Sequence, residues 1–191
     1  MLVPVVVVLG EFGTGKTLYA TYKALKFSER NPGKTVFANY PIKGIKNFRE
    51  YHTSELSEGD FPEWLHDGLL IMDEIQIGAD AYDFMRSGTR NIVAFITQIR
   101  KLNLELIMVT PVYTFIAKRL RDIANFMITL KDMVVPGFVT ANYYRLLKMG
   151  SKTFKAVYLR TMKYDLNEVF PYYDTKYIVK SKRRETNETE R

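Results

Sequence analysis

A short apolar run that leads straight into a glycine-rich octapeptide is the feature that most limits how this chain can fold. Val5-Val6-Val7-Val8-Leu9 supplies a buried strand, and Gly10-Glu11-Phe12-Gly13-Thr14-Gly15-Lys16-Thr17 follows without a break. The octapeptide fits G-x-x-x-x-G-K-[ST] in full, a pattern whose backbone N–H groups face inward around phosphate oxygens. Thr17 to Phe27 predicts a helix, with Leu18, Ala20, Tyr22, Ala24 and Leu25 as its apolar faces. The anion would then sit at a helix N-terminus, with contacts expected from Gly10, Glu11, Phe12, Gly13, Thr14, Gly15, Lys16, Thr17 and Leu18.

The rest of the chain extends this unit into an α/β domain. A turn at Asn31-Pro32-Gly33 and a β-prone run from Thr35 to Asn39 complete β-α-β. Residues 41–68 read as a polar loop with a short helix. Leu69-Leu70-Ile71-Met72 is a second buried strand, ending in Asp73-Glu74. Residues 79–90 read as a surface excursion and Ile92 to Leu102 as a helix. Leu104 to Thr110 is a strand stopped by Pro111, followed by a helix from about Thr114 to Asp122 and a strand from Phe126 to Leu130. Strands interleaved with helices predict a mostly parallel, helix-covered sheet. From Phe138 the runs 138–147 and 153–160, split by Met149-Gly150-Ser151, predict a C-terminal β-hairpin extension. The expected organisation is one P-loop domain over 1–179, with its core at 3–131 and a β-rich extension at about 138–179. A charged flexible tail over 180–191 would follow.

At 191 residues the chain has room for one domain with a real core. It lacks cysteine, and His52 and His66 stand in no metal-ligand pattern, so thiolate and zinc chemistry are not expected. No stretch approaches the roughly 18 apolar residues that cross a bilayer, and no basic leader precedes the first strand. The net charge of +7 suggests an anionic partner beyond a nucleotide. Arg145, Lys148, Lys152, Lys155, Arg160 and Lys163 fall in a segment, 145–163, without any Asp or Glu. That segment fits a nucleic-acid surface and equally a solvated hairpin face.

Phosphoanhydride hydrolysis needs charge neutralisation on the β- and γ-phosphates, a placed Mg2+ and a group that activates water. Lys16 suits the first task, Thr17 and Asp73 the second, and Glu74 the third. Thr110, at the end of the next strand, could sense the γ-phosphate, and Gln76 and Gln98 are polar residues in apolar surroundings. A positive charge on the γ-phosphate side is still wanted. Of Arg86, Arg90, Arg100, Arg119 and Arg121, the pair Arg86 and Arg90 flanking Ser87-Gly88-Thr89 ranks first as a finger donated to a neighbouring subunit.

With Asp73-Glu74-Ile75-Gln76 and Arg100-Lys101-Leu102-Asn103-Leu104-Glu105-Leu106-Ile107-Met108-Val109-Thr110 in view, the chain resembles the FtsK/HerA group of P-loop motor ATPases. Within it, the chain looks most like viral genome-packaging ATPases and zonula-occludens-toxin-like morphogenesis ATPases. Val36-Phe37-Ala38-Asn39-Tyr40-Pro41 and Tyr173-Asp174-Thr175 resemble stretches of the toxin-like members. Pro111 departs from the pattern, standing where the family has Gln. The membrane span that toxin-like filamentous-phage proteins carry after the ATPase part is not seen either. The resemblance implies an ATP- and Mg2+-dependent homo-oligomeric ring, in the cytoplasm of a host cell or associated with a virion, that draws double-stranded DNA into a capsid, with a capsid or portal-vertex protein as a possible partner. Lys148, Lys152 and Lys155, or Lys43 and Lys46 beside Arg49, would then face DNA. Two other readings stay open: a toxin-like virion assembly or export ATPase, and a P-loop small-molecule or nucleoside kinase.

Overall fold

The computed structural model describes residues 4–56, 62–74, 98–116, 118–132, 135, 137–149 and 153–174. Its strands are β1 (Val5–Leu9), β2 (Thr35–Ala38), β3 (Phe48–Glu50), β4 (Gly68–Met72), β5 (Leu104–Thr110), β6 (Phe126–Asp132), β7 (Phe138–Met149) and β8 (Thr153–Asp165). They form one sheet in the order β3-β2-β4-β5-β1-β6-β7-β8. All pairings from β3 across to β6 are parallel, and β7 and β8 join antiparallel. The run expected to be buried is thus an interior strand, paired with β5 and β6. Val5 and Val7 pack into one core and Val8 into the other, which is why this strand is apolar at successive positions.

Helix α1 (Lys16–Arg30) begins one residue before the expected start and extends three residues beyond the expected end. Phe27 continues the buried stripe of Leu18, Ala20, Thr21 and Ala24, so the last turn is held by packing. It stops where Asn31 folds back. The Asn31 backbone N–H and its Nδ2 both donate to the Phe27 carbonyl at 2.9 Å, and Pro32 cannot continue the helix.

Two expectations need correction. The loop over 41–68 contains β3, which pairs with β2 in the register Val36↔Phe48, and its short helix is a 3-10 turn at Thr53–Leu56. The helix expected over 114–122 is divided into a 3-10 turn, Tyr113–Phe115, and α2 (Lys118–Ile123). Between them Ile116 is extended, with ψ 131°, and is fully buried. Seating this side chain in the core displaces the helical path. The excursion at 79–90, most of the helix at 92–102 and the tail at 180–191 lie outside the described residues.

The hairpin forms where the Met149-Gly150-Ser151 signal placed it, but its strands are longer than expected and extend the main sheet through β6. Val139 and Ala141 share the α1-side core. After β8, Leu166 and Val169 carry a 3-10 turn, Asn167–Tyr172, back to that core. An isolated antiparallel bridge then joins Tyr173 to Ile42.

Candidate active site

The loop between β1 and α1 adopts a conformation that only its sequence allows. Gly15 has φ 75° and precedes the first helical residue, a left-handed cap that an L side chain resists. A Cβ on Gly10 would lie 2.5 Å from Thr14 Oγ1 and 3.2 Å from the Leu130 carbonyl oxygen. No side chain caps α1, and its first turn carries no acidic residue. Its leading N–H groups are therefore oriented for an anion. Thr14 Oγ1 and Lys16 Nζ each donate to the Glu11 carbonyl at 2.8 Å. Lys16 is buried, with its ammonium 5.4 Å from the centre of the exposed Phe12 ring. Leu18 packs in the core, leaving its backbone as its contribution to the loop.

Asp73 brings the end of β4 to this loop. Thr17 Oγ1 donates to Asp73 Oδ2 at 2.7 Å, while the Glu74 N–H donates to Asp73 Oδ1 at 2.9 Å. Burial pushes the Asp73 carboxyl up to about 6 against the opposing effect of the Thr17 hydrogen bond, and the nearby Glu74 charge adds to the rise. The next residue leaves the strand abruptly: Glu74 has φ 50°, in the left-handed region that non-glycine residues seldom occupy. Such backbone is held only by surrounding structure and concentrates at functional sites.

That surrounding structure includes a residue whose role the sequence reading missed. Asn39 Nδ2 donates to the Asp73 carbonyl, and the Asp73 N–H donates to Asn39 Oδ1, both at 2.8 Å. Both residues are buried, so this two-way clamp fixes the backbone that carries the carboxylate. The sequence offered one signal: a polar side chain closing an apolar strand at its carboxyl end, where parallel sheets place ligands. Two phenols add support. Tyr51 donates to the Ile71 carbonyl at 3.0 Å, and the Tyr40 hydroxyl lies 3.2 Å from Thr21 Oγ1. Burial, with the Asp73 charge as the second cause, keeps both phenols neutral.

The structure gathers Lys16, Thr17, Asp73 and Glu74 into this cluster. Thr110 ends β5 beside Leu9, but it is fully buried and its hydroxyl donates to the Val112 carbonyl at 3.2 Å. Arg86, Arg90, Gln76 and Lys152 lie outside the described residues, as does the Arg119 side chain. Arg100 is exposed, Gln98 is half-buried in the helical turn at 98–101, and the Arg121 guanidinium stacks 5.6 Å from the Tyr113 ring centre. Lys43 and Lys46 are exposed on the crossover from β2 to β3, and Arg49 stacks 4.0 Å over Trp64. The basic hairpin segment is not a single face. The pairs Tyr143↔Arg160, Arg145↔Val157 and Leu147↔Lys155 put Arg145, Lys155 and Arg160 on one side, with Lys148 and Lys163 on the other.

The Thr17 hydroxyl and the Asp73 carboxylate are hard oxygen donors in mutual contact beside the lysine of the loop. That donor set fits Mg2+, which takes a few protein oxygens and completes its shell with phosphate and water. A glycine-rich cradle with its lysine, a buried aspartate on the loop threonine, and a mostly parallel sheet beneath them define a P-loop ATPase.

The family model described as zonular occludens toxin (Zot) matches residues 4–178. The chain belongs to the Zot family. Among solved structures it is similar to the N-terminal domain of zonular occludens toxin from Neisseria meningitidis, with 14% identity and a TM-score of 0.58, over 91% of this chain and 100% of that one. Looser overlays include the genome packaging NTPase B204 from Sulfolobus turreted icosahedral virus 2 in complex with ATP-gammaS, at 12% identity, TM-score 0.41, and 81% and 96% coverage. Another is the RadB recombinase, at 16% identity, TM-score 0.47, and 75% and 87% coverage. No curated protein matches the chain. Among the described residues no helix is long and apolar enough to cross a membrane.

Proposed function

We propose that this Zot-family ATPase uses ATP and Mg2+ to move DNA during virion assembly, working as a homo-oligomeric ring. The observation that carries the proposal is the 2.7 Å bond from Thr17 to Asp73, beside Lys16 and next to Glu74. It supplies a cation-binding oxygen pair next to a phosphate-binding lysine. Lys16 would neutralise charge on the β- and γ-phosphates, Thr17 and Asp73 would hold Mg2+, and Glu74 would orient or deprotonate water. Mg2+ would supply charge neutralisation at the phosphates. Arg86 or Arg90 is the finger lent to a neighbouring subunit, and Thr110 is at most an indirect sensor through the end of β5. The working unit is 1–179, with 180–191 a charged tail.

Packaging of double-stranded DNA into a capsid, in contact with a capsid or portal-vertex protein in the host cytoplasm, is the first form of this reading. DNA would meet the Arg145, Lys155 and Arg160 side of the hairpin, or Lys43 and Lys46, through phosphates and so without sequence preference. The Zot family match also supports a second form, an ATPase that assembles or exports virions. ATP hydrolysis measured with and without double-stranded DNA, across protein concentrations, separates them. Stimulation by duplex that rises with protein concentration supports the packaging ring. Steady hydrolysis indifferent to duplex moves the reading to the assembly ATPase. Turnover that needs a small-molecule phosphate acceptor makes the chain a kinase.

A further inference from the structure

One edge of α1 is tied to the hairpin by phenols, and cations rest on their rings. Lys23 Nζ lies 5.9 Å from the centre of the Tyr19 ring, and the Arg160 guanidinium lies 5.1 Å from the centre of the Tyr143 ring. The Tyr19 and Tyr143 hydroxyl oxygens are 2.6 Å apart, and the Tyr143 hydroxyl is bonded in turn to that of Tyr164. Lys23 and Arg160 are therefore held on the two rings of one hydrogen-bonded pair. Neither forms an ion pair with a described carboxylate.

Positive charge continues from this pair along both elements. Arg30 follows Lys23 two turns later on the same edge of α1, and both line a cavity of about 230 Å3. Lys26, also at its wall, is paired with Glu29 at 2.8 Å, which leaves Lys23 and Arg30 against the single carboxylate of Glu105. On the hairpin, Tyr143 pairs with Ile128 and Arg145 with Phe126, so the series Arg160, Arg145, Lys155 steps past the amino end of β6. These three share the α1 side of the sheet, and no Asp or Glu occurs over 138–163. Burial first, then the Arg30 and Arg160 charges, hold the Lys23 ammonium below the ordinary lysine value, with Glu105 opposing. Cations gathered this way repel one another until an anion joins them.

We infer that the cleft between α1 and the hairpin, with Lys23, Arg30, Arg145, Lys155 and Arg160 along it, is the track for the phosphodiester backbone of DNA. The inference rests on the proposed DNA-moving function, and it selects the α1 side of the hairpin over Lys43 and Lys46. Lys23 decides the class of partner. It is half-buried while Arg145, Lys155 and Arg160 are exposed, so a narrow chain of phosphates reaches all of them and the flat surface of a bilayer does not. The track also touches α1 itself, the helix that begins with Lys16 and Thr17.

The test is fluorescence anisotropy of a labelled duplex of mixed sequence, titrated with the full chain at several salt concentrations. Lys23→Gln and Arg160→Gln should each lower the slope of log affinity against log salt by about one, the loss of one phosphate contact. Lys23→Arg keeps the charge and should keep the wild-type slope. Lys163→Gln removes a charge from the opposite face of β8, and Lys46→Gln one from the crossover between β2 and β3; both should leave the slope unchanged. An unchanged slope in Lys23→Gln overturns the inference, as does a fall in Lys163→Gln or Lys46→Gln equal to that in Arg160→Gln. In those cases the duplex is still bound and the DNA reading stands. If the wild type binds no duplex at low salt, the DNA reading fails first and the inference falls with it, whether or not phosphatidylglycerol vesicles bind in its place.

Discussion

The two halves of the sheet use their side chains in opposite ways. At the carboxyl ends of β1, β2 and β4, the polar residues Lys16, Asn39 and Asp73 are buried, and each is engaged in short hydrogen bonds. Along β7 and β8, Arg145, Lys148, Lys155, Arg160 and Lys163 are exposed, as are Tyr158, Leu159 and Met149. A buried polar group without a partner is costly, so the first region tolerates one arrangement. The second is solvated and can meet a partially ordered, charged partner without rearranging. One region has the rigidity that bond-breaking chemistry requires, and the other has the adaptability of a sequence-tolerant contact.

Substitutions can break this contrast in order of effect. Glu74→Gln should lower phosphate release about a hundred- to ten-thousand-fold while ATP still binds. A variant that hydrolyses at the wild-type rate removes Glu74 from the chemistry. Asn39→Ala leaves a buried N–H and a buried C=O at Asp73 without partners and should cost about 2–4 kcal/mol. In thermal unfolding that corresponds to a fall of roughly 5–15 °C, with turnover reduced alongside. Gly10→Ala forces a Cβ against Thr14 and the Leu130 backbone. It should cost about 1–3 kcal/mol and weaken nucleotide binding, measured by calorimetry at constant Mg2+. Lys155→Ala and Arg145→Ala should change stability by no more than about 0.5 kcal/mol. If the hairpin meets DNA, each should lower the salt slope of duplex binding by about one. A hairpin change that alters Tm as much as Asn39→Ala would erase the distinction between the halves.

What could be read from the sequence follows the range of the interactions involved. The phosphate loop and Asp73-Glu74 were legible because each is a local pattern with its own strand. The clamp from Asn39 joins residues 34 positions apart, and no local pattern marks it. β3 escaped notice because Phe48-Arg49-Glu50 is too short for a period and has one apolar residue. The break at Ile116 reflects the demand of a distant core over local helical preference. The hairpin was visible at its turn, but the partition of its charges was not. It follows from strand register and from the irregularity between Tyr143 and Tyr144, which alternation along one strand cannot reveal.

The Asn39 clamp has a further consequence for how this site can be observed. Asn39 makes with Asp73 the pair of bonds that a facing backbone would make, so the amide proton of Asp73 is shielded by a side chain. Its exchange with deuterium then requires local opening of the site and not merely fraying of the end of β4. That single amide is a spectroscopic gauge of whether the carboxylate is held in register, readable without nucleotide turnover and without a binding partner.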